Sequence, residues 1–220
     1  RFGFAALSAF LLALLLLATP ALADPVYLLH GTFDPDTEEP TVAPRLRAEA
    51  VRGDEEAYFL VQLSGPPTEA RKAAAAAAGA QLIAYIPDNT FVARAAADVA
   101  ARLADNPEVD WVGRYHPAYK MSPTIGTHEF ADPGRAASSF LTLRVRVFGD
   151  LEDSARRIEA LGTDIVETHD DGFQKLVIVE AAPELVAPIA RIEDVWWVEE
   201  EPEFYLMNDT GVWVVQSNVT

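Results

Sequence analysis

The groups that could act together in catalysis are the histidines, the acidic residues and two short motifs. His30, followed by Gly-Thr, and Asp209, followed by Thr-Gly, imitate the histidine and aspartate motifs of a Ser-His-Asp triad. A triad also needs a serine presented for attack beside its base, and no glycine-rich stretch of the sequence offers one. We therefore assign no catalytic residue and expect no independent enzyme activity.

The other histidines, His116, His128 and His169, stand alone, without the i, i+4 spacing of a paired metal site. The chain has no cysteine, which excludes disulfides and thiolate zinc sites. Glu199–Glu201 is the densest acidic run, and such a run is usually a solvated face. The sequence predicts no cofactor and no metal site.

Composition narrows the classes of partner. The 220 residues are 50% hydrophobic and 23% charged, with 17 basic and 34 acidic residues and a net charge of −17. Binding to phosphates needs clusters of Lys and Arg, so this balance argues against a nucleic-acid partner.

The N-terminus has the pattern of an export signal. Arg1 is positive, Phe10–Ala18 is almost wholly apolar, and a small-x-small triplet ends at Ala23, before Asp24. A membrane anchor is the alternative, but the apolar run is shorter than the ~20 residues that a spanning helix needs. We expect cleavage between Ala23 and Asp24, a secreted or extracytoplasmic location and no stable membrane anchor.

A strand, helix, strand, strand, helix, strand pattern occurs twice, and both copies close on similar phrases, Val109–Val112 and Val195–Val198. This pattern predicts an α+β fold of two tandem ferredoxin-like βαββαβ sandwiches, each an antiparallel sheet with two helices on one face and the other face free. The predicted elements of repeat one are strands 58–63, 81–86, 90–95 and 109–114 with helices 68–78 and 98–104. Those of repeat two are strands 141–147, 164–168, 173–179 and 195–199 with helices from 150 to 162 and from Pro183.

These patterns divide the chain into segments. The segment before repeat one is acidic and proline-rich without apolar periodicity, so we assign it no fold. The predicted segments are a signal peptide 1–23, a lead-in 24–56, a first inhibitor-like domain 57–121, a linker 122–139, a second inhibitor-like domain 140–207, and 208–220 as the start of a following domain.

After the last predicted strand, the sequence of Pro202–Asn208 is apolar without a helical period and predicts an extended peptide. Such a peptide can add to the edge of another protein's sheet and fill pockets at alternate positions. The alternative is that Phe204 and Leu206 fold back beneath their own domain. The segment His116–Met121 has the same character but is more polar.

In their order, three phrases resemble the N-terminal prosegment of secreted bacterial subtilisin-like serine proteases, several of which carry two inhibitor-type sandwiches in tandem. The phrases are Tyr58–Pro66, Tyr85–Phe91 and Trp111–Lys120. Gly31–Pro35 and the residues from Asn208 also resemble parts of that arrangement, the latter the start of the mature enzyme.

The resemblance implies a chaperone for folding of the protease that also blocks its substrate cleft until it is cut away. Phe204, Tyr205, Leu206 and Met207 would occupy the unprimed side of the cleft, and Met207-Asn208 would be the maturation bond. The implied partner is the cognate protease domain, in cis, or in trans if this chain stands alone. The catalytic Asp, His and Ser of that domain cannot be assigned to any residue of this chain.

Two alternatives remain open: a stand-alone exported inhibitor of such proteases, and a ligand-binding tandem regulatory module. Which repeat docks is also open. Repeat one has two fairly apolar sheet faces, whereas repeat two exposes Arg144 and Arg146 but carries the tail nearest the predicted cut.

Overall fold

The structure is a computed structural model that describes residues 24–35, 37 and 40–203. Its fold is mixed α+β, with two four-stranded sheets and one two-stranded sheet. Contacts divide it into two units. The first holds the described residues up to Pro40 together with Arg52–Gly113, and the second holds Thr41–Val51 with the described residues from Arg114 onward.

Every strand and helix predicted for the two repeats is present, with ends shifted by a few residues. In the first unit, the strand order of the larger sheet is β4-β5-β3-β6. The elements of this unit are β1 (Val26–Leu28), β2 (Gly31–Phe33), β3 (Glu56–Leu63), α1 (Glu69–Ala78), β4 (Gln81–Ile86), β5 (Thr90–Ala96), α2 (Ala97–Ala104) and β6 (Val109–Arg114).

Local chemistry explains where these elements begin and end. The Thr68 side chain caps α1 by accepting a hydrogen bond from the Arg71 N–H, and Gly79 ends the helix in the left-handed conformation at φ +105°. Asp88 and Asn89, at φ 60° and 61°, form the tight turn between β4 and β5. Two left-handed residues suit the twist of a hairpin, and Asp and Asn tolerate that conformation.

The lead-in, to which the sequence assigned no fold, contains an antiparallel hairpin of β1 and β2. Val26 is fully buried, and the Gln62 side-chain amide donates to the Asp24 carbonyl at 2.6 Å. The Phe33 ring packs edge-on against Trp111, with 5.4 Å between ring centroids. The hairpin therefore lies against the sheet face that carries Gln62.

This contact corrects the expectation that the second face of the first sheet is free. Tyr58, Leu60 and Gln62 share that face by the alternation of a strand and are at most 2% exposed. Leaving the Leu60 side chain in water would cost about 1.5–3 kcal/mol, and the N-terminal hairpin of the same chain lies against this face instead.

The second unit repeats the same order of elements, and its strand order is β10-β7-β9-β8. A short helix, α3 (Pro133–Ala137), precedes its first strand. The other elements are β7 (Leu141–Val147), α4 (Leu151–Glu159), β8 (Asp164–Asp170), β9 (Lys175–Ala181), a 3-10 turn (Pro183–Leu185), α5 (Val186–Arg191) and β10 (Val195–Glu200).

The core of the second unit follows from the strict alternation in β7. Leu143, Val145 and Val147 point towards the helices and are at most 3% exposed, and Ile158 of α4 and Ile189 of α5 pack into the same cluster. Each such side chain contributes about 1.5–3 kcal/mol by leaving water. The sheet therefore has one face sealed by its helices.

The segment predicted as a linker, 122–139, belongs to the second unit and contains α3. Pro188 lies within α5, and a proline inside a helix removes a backbone hydrogen bond, which agrees with the length of only six residues.

Candidate functional site

The sheet face opposite the helices in the second unit remains partly accessible. Across the strands, Glu199 pairs with Arg144, and Arg144 with Ile178. The next row joins Trp197, Arg146 and Leu176 in the same way. This face thus combines polar and apolar groups.

The two arginines of this face, expected as exposed charges, are held in ion pairs. Arg144 makes a two-pronged contact with the Glu201 carboxylate, at 2.7 and 2.8 Å, and Arg146 lies 3.1 Å from Glu199. The four side chains are 20–29% exposed. Within each pair the arginine and the glutamate neutralise each other's charge. The face therefore offers apolar rows and oriented hydrogen-bonding groups rather than free cations.

The last described residues leave the sheet at one corner of this face. The Glu201 N–H donates to the Thr142 carbonyl at 2.9 Å, which extends the pairing of β10 with β7 past Glu200. The chain beyond β10 therefore starts beside the ion pair of Arg144 with Glu201.

Glu200 shows that the acidic run is not wholly a solvated face. Its side chain points to the core side and the residue is 4% exposed. One carboxylate oxygen accepts the Gly126 N–H at 2.8 Å and lies 2.7 Å from His128 Nδ1. A buried carboxylate needs such partners, because burying an unpaired charge is costly. His128, expected as an isolated histidine, therefore has a specific partner.

Residues 126–137, which we call the clasp segment, make further contacts with Glu201 and Glu203, which follow β10. The Glu203 carboxylate accepts the N–H groups of Ala131 and Asp132, at 2.8 and 2.9 Å. Arg135 donates to the Glu201 carbonyl at 2.7 Å, and its guanidinium lies 4.0 Å from the centre of the Phe130 ring. The chain is thus held on both sides as it leaves the fold.

A cleft of about 750 Å³ lies between the clasp segment and the ends of the strands. Phe140, Thr142 and Glu180 contribute to its wall, together with Glu200. Its lining mixes aromatic and acidic groups.

Residues 120–122 pair with the outer edge of β10. The Val198 N–H donates to the Lys120 carbonyl, and the Ser122 N–H donates to the Val198 carbonyl, both at 2.7 Å. Met121 bridges Val198 in parallel. His116–Met121 was predicted to resemble a peptide that adds to the edge of another protein's sheet, but its last residues pair with β10 of the second unit.

Lys120 is almost completely buried, at 1% exposure. Its ammonium donates to the carbonyls of Ile192 and Glu193, at 3.3 and 3.0 Å, where α5 ends. The ammonium also lies 5.6 Å from the centre of the Tyr115 ring. Burial lowers the pKa of this ammonium to about 8, although the nearby Glu193 carboxylate opposes the change.

The pKa values of two neighbouring groups, Tyr115 and His116, are also shifted. The Tyr115 hydroxyl donates to the Trp196 carbonyl at 2.8 Å, and burial raises the pKa of this tyrosine. His116 Nδ1 accepts the Ala48 N–H at 3.0 Å. Burial and then the charge of Arg114 lower the pKa of His116 to about 4, so the ring is neutral near pH 7.

Several residues that the sequence assigned to a site lie outside the described residues. Phe204, Tyr205, Leu206 and Met207 are among them, as is Asn208, so the cleft-blocking tail and the maturation bond stay predictions.

The predicted signal cleavage also stays a prediction, because Ala23 lies outside the described residues. Asp24 is described, and its carboxylate accepts a hydrogen bond from the Asn89 side chain at 3.1 Å. His30 lies between β1 and β2, and Asp209 is outside the described residues. His169 lies on β8, 4.0 Å from the Asp171 carboxylate.

Sequence reasoning missed the roles of Glu200, Glu203 and Lys120. A signal existed for Glu200, since alternation from the buried Val198 places it on the core side. For Lys120 and Glu203 the partners lie about 70 residues away, and no local pattern identifies them.

The described part of the chain offers neither a metal cluster nor a membrane-spanning helix. No group of three or more His, Asp or Glu side chains there could hold a metal ion. No described helix is long and apolar enough to cross a bilayer.

The match to a known protein family covers the N-terminal part of the chain. The model of a family described as a domain of unknown function (DUF8729) matches residues 27–116, less than half of the chain. No curated protein matches the chain significantly. The matched region begins within β1, so what is similar to that family includes the N-terminal hairpin as well as the larger sheet of the first unit.

Proposed function

We propose that this chain is the prosegment of a secreted subtilisin-like serine endopeptidase. It assists folding of the protease domain and then blocks the substrate cleft until proteolytic maturation. The partner is the protease domain, and the chain itself performs no catalysis. Residues 1–23 direct export and are removed before Asp24.

Each four-stranded sheet with its helices is, in this proposal, a ferredoxin-like sandwich. The strand orders β4-β5-β3-β6 and β10-β7-β9-β8 support this, because both place the first strand of the repeat between its third and fourth strands.

We assign docking on the protease to the second unit. In the first unit the hairpin of β1 and β2 covers the face that carries Tyr58 and Leu60. In the second unit the corresponding face keeps Leu176 and Ile178 partly accessible. A surface already covered by its own chain cannot bind a partner without first losing that cover.

The observation that carries the proposal is the position of the chain's exit. Glu201 leaves β10 at the corner of the accessible face, and Glu203 is held by the clasp segment. The apolar residues 204–207 follow directly. A partner that binds the accessible face therefore lies beside the point, at Glu203, from which the predicted tail continues in the sequence.

Inhibition of a purified subtilisin-type protease by the full chain tests the proposal. We expect slow, tight inhibition, and mass spectrometry should find cleavage after Met207. Met207→Asp should weaken inhibition at least tenfold, because an apolar specificity pocket rejects a carboxylate. Leu29→Asp is the matched control, because Leu29 is 71% exposed in the first unit and its substitution should change nothing.

The outcomes separate the candidate functions. If several subtilisin-type enzymes are not inhibited, the prosegment function is refuted and the ligand-binding module is favoured. Inhibition with equal loss in both variants would refute the assignment of the tail.

A further inference from the structure

We propose that the outer edge of β4, the side that faces away from β5, pairs with the same edge of a second copy of this chain. The two strands run antiparallel about a two-fold axis and join the larger sheets of two first units into one. This interaction is separate from the docking assigned to the second unit, and it can be tested without a protease.

β4 lies at an open edge of its sheet. It is the outermost strand in the order β4-β5-β3-β6, and among the described residues it pairs only with β5. Its outer side therefore presents backbone N–H and C=O groups that have no partner strand in the described part of the chain. Such a row of groups is a template to which another strand can add.

The side chains of β4 lack most of the features that protect an edge strand. Natural edges are blocked by charged side chains, by proline or by a bulge. β4 has an irregularity between Leu82 and Ala84, but its sequence, Gln-Leu-Ile-Ala-Tyr-Ile, contains no charge and no proline. Ile83 is 38% exposed and Tyr85 is 55% exposed. Accessible apolar side chains therefore accompany the unpaired backbone.

The second unit provides an internal comparison. β8 occupies the equivalent edge position, and its register shifts at the equivalent place, between Ile165 and Glu167. Its sequence, Asp-Ile-Val-Glu-Thr-His-Asp, places three carboxylates along the edge. Two copies of β8 would bring these like charges together, which opposes pairing. The two units thus differ in the chemistry of the same edge, and only that of the first unit suits self-pairing.

The charge around each edge also favours a second copy at β4. The whole chain has a net charge of −17, which opposes association between copies in general. Residues 69–96, from α1 to the end of β5, contain three basic and two acidic side chains, a net charge of +1. The equivalent residues 151–181 contain three basic and eight acidic side chains, a net charge of −5. Repulsion between copies is therefore weak around β4 and strong around β8.

Self-pairing also fits the order of residues within β4. In a two-fold symmetric pair, the strand meets its own sequence in the opposite direction. Because no residue of β4 is charged, no register brings two like charges together, and most contacts across the axis join apolar side chains. Tyr85 already packs edge-on against Phe91, with 5.2 Å between ring centroids, so its association with a partner costs less ordering.

Sedimentation of the full chain over a range of concentrations measures self-association. Pairing over one short strand forms a small interface, so we expect monomers at low concentration and dimers at high concentration. Ile83→Lys should weaken the dimer at least tenfold, because it brings two like charges to the shared edge. Val166→Lys is the matched control. It makes the same change at the equivalent position of β8, which is 58% exposed, and it should leave the dimer unchanged.

Amide hydrogen exchange of the parent chain then locates the interface. Exchange in Gln81–Ile86 should slow as concentration rises, whereas exchange in Asp164–Asp170 should not change. This measurement needs no substitution, so it decides the question even if Ile83→Lys folds poorly.

Three results would overturn the proposal. They are a chain that stays monomeric at every concentration, a dimer that Ile83→Lys leaves intact, and exchange in Gln81–Ile86 that does not depend on concentration. Inhibition of a protease is measured separately, so the proposed function can fail while the dimer stands, and the reverse is equally possible.

Discussion

Replacing Lys120 by Met tests the buried polar anchor of the second unit. The ammonium is 1% exposed and is bound by two carbonyls, those of Ile192 and Glu193. Methionine has a similar length and no charge. The substitution removes the cost of burying the ammonium, and it also removes both hydrogen bonds.

The size of the effect follows from the pKa of Lys120, which burial lowers from 10.5 to about 8. Each step of one in pKa corresponds to about 1.4 kcal/mol, so the burial of the charge costs about 3 kcal/mol below pH 8. The two lost hydrogen bonds are worth about 1–3 kcal/mol each. Near pH 7 the two effects oppose each other, so Lys120→Met should destabilise the protein by less than the loss of the two hydrogen bonds alone would.

The pH dependence gives the sharper result. Between pH 8 and 10.5 the unfolded chain keeps the lysine proton while the folded chain has released it, so the free energy of unfolding rises with pH in this range. The parent protein should therefore gain about 3 kcal/mol over Lys120→Met between these two pH values. Below pH 8 the two curves should run in parallel.

Urea unfolding of the second unit at a series of pH values, followed by tryptophan fluorescence, measures this difference. Other lysines and tyrosines titrate in both proteins, so their contributions cancel in the comparison. Parallel curves from pH 7 to 11 would refute the argument that burial governs the protonation of Lys120.

Three further substitutions test the fold. Between pH 6.5 and about 4 the unfolded chain protonates His116 and the folded chain does not, so the parent protein loses stability as pH falls; we expect a loss of about 2 kcal/mol, reduced by solvent screening because the ring is only half-buried. His116→Asn should abolish this loss, and urea titration across that range measures it. Ile158→Ala should cost the second unit about 3–4 kcal/mol by leaving a cavity in its core, which chemical denaturation will detect. Val26→Asp should lift the N-terminal hairpin from the first sheet and speed amide hydrogen exchange in Tyr58–Gln62, whereas Leu29→Asp, at an exposed position, should leave exchange unchanged.

Much of the local structure is legible in the chain. The alternation of β7 identifies its buried face, and Thr68 and Gly79 mark the two ends of α1. Both repeats could be aligned element by element for the same reason: periodicity, caps and turn residues act over a few positions. The apolar character of both faces of β3 was legible too, but we expected the second face to be free, and that expectation was wrong.

What covers that face was decided by tertiary structure, as was the environment of several charged groups. The contacts of Gln62 with Asp24, of Lys120 with Glu193 and of Glu203 with Ala131 join residues 38 to 73 positions apart. Local patterns report which side of an element is apolar, but not which distant segment packs there. The sequence alone therefore determined the elements of the two repeats and their order. The N-terminal hairpin over the first sheet, the buried lysine and the contacts of Glu203 arose only when distant segments met, because burial and hydrogen bonding depend on neighbours in space.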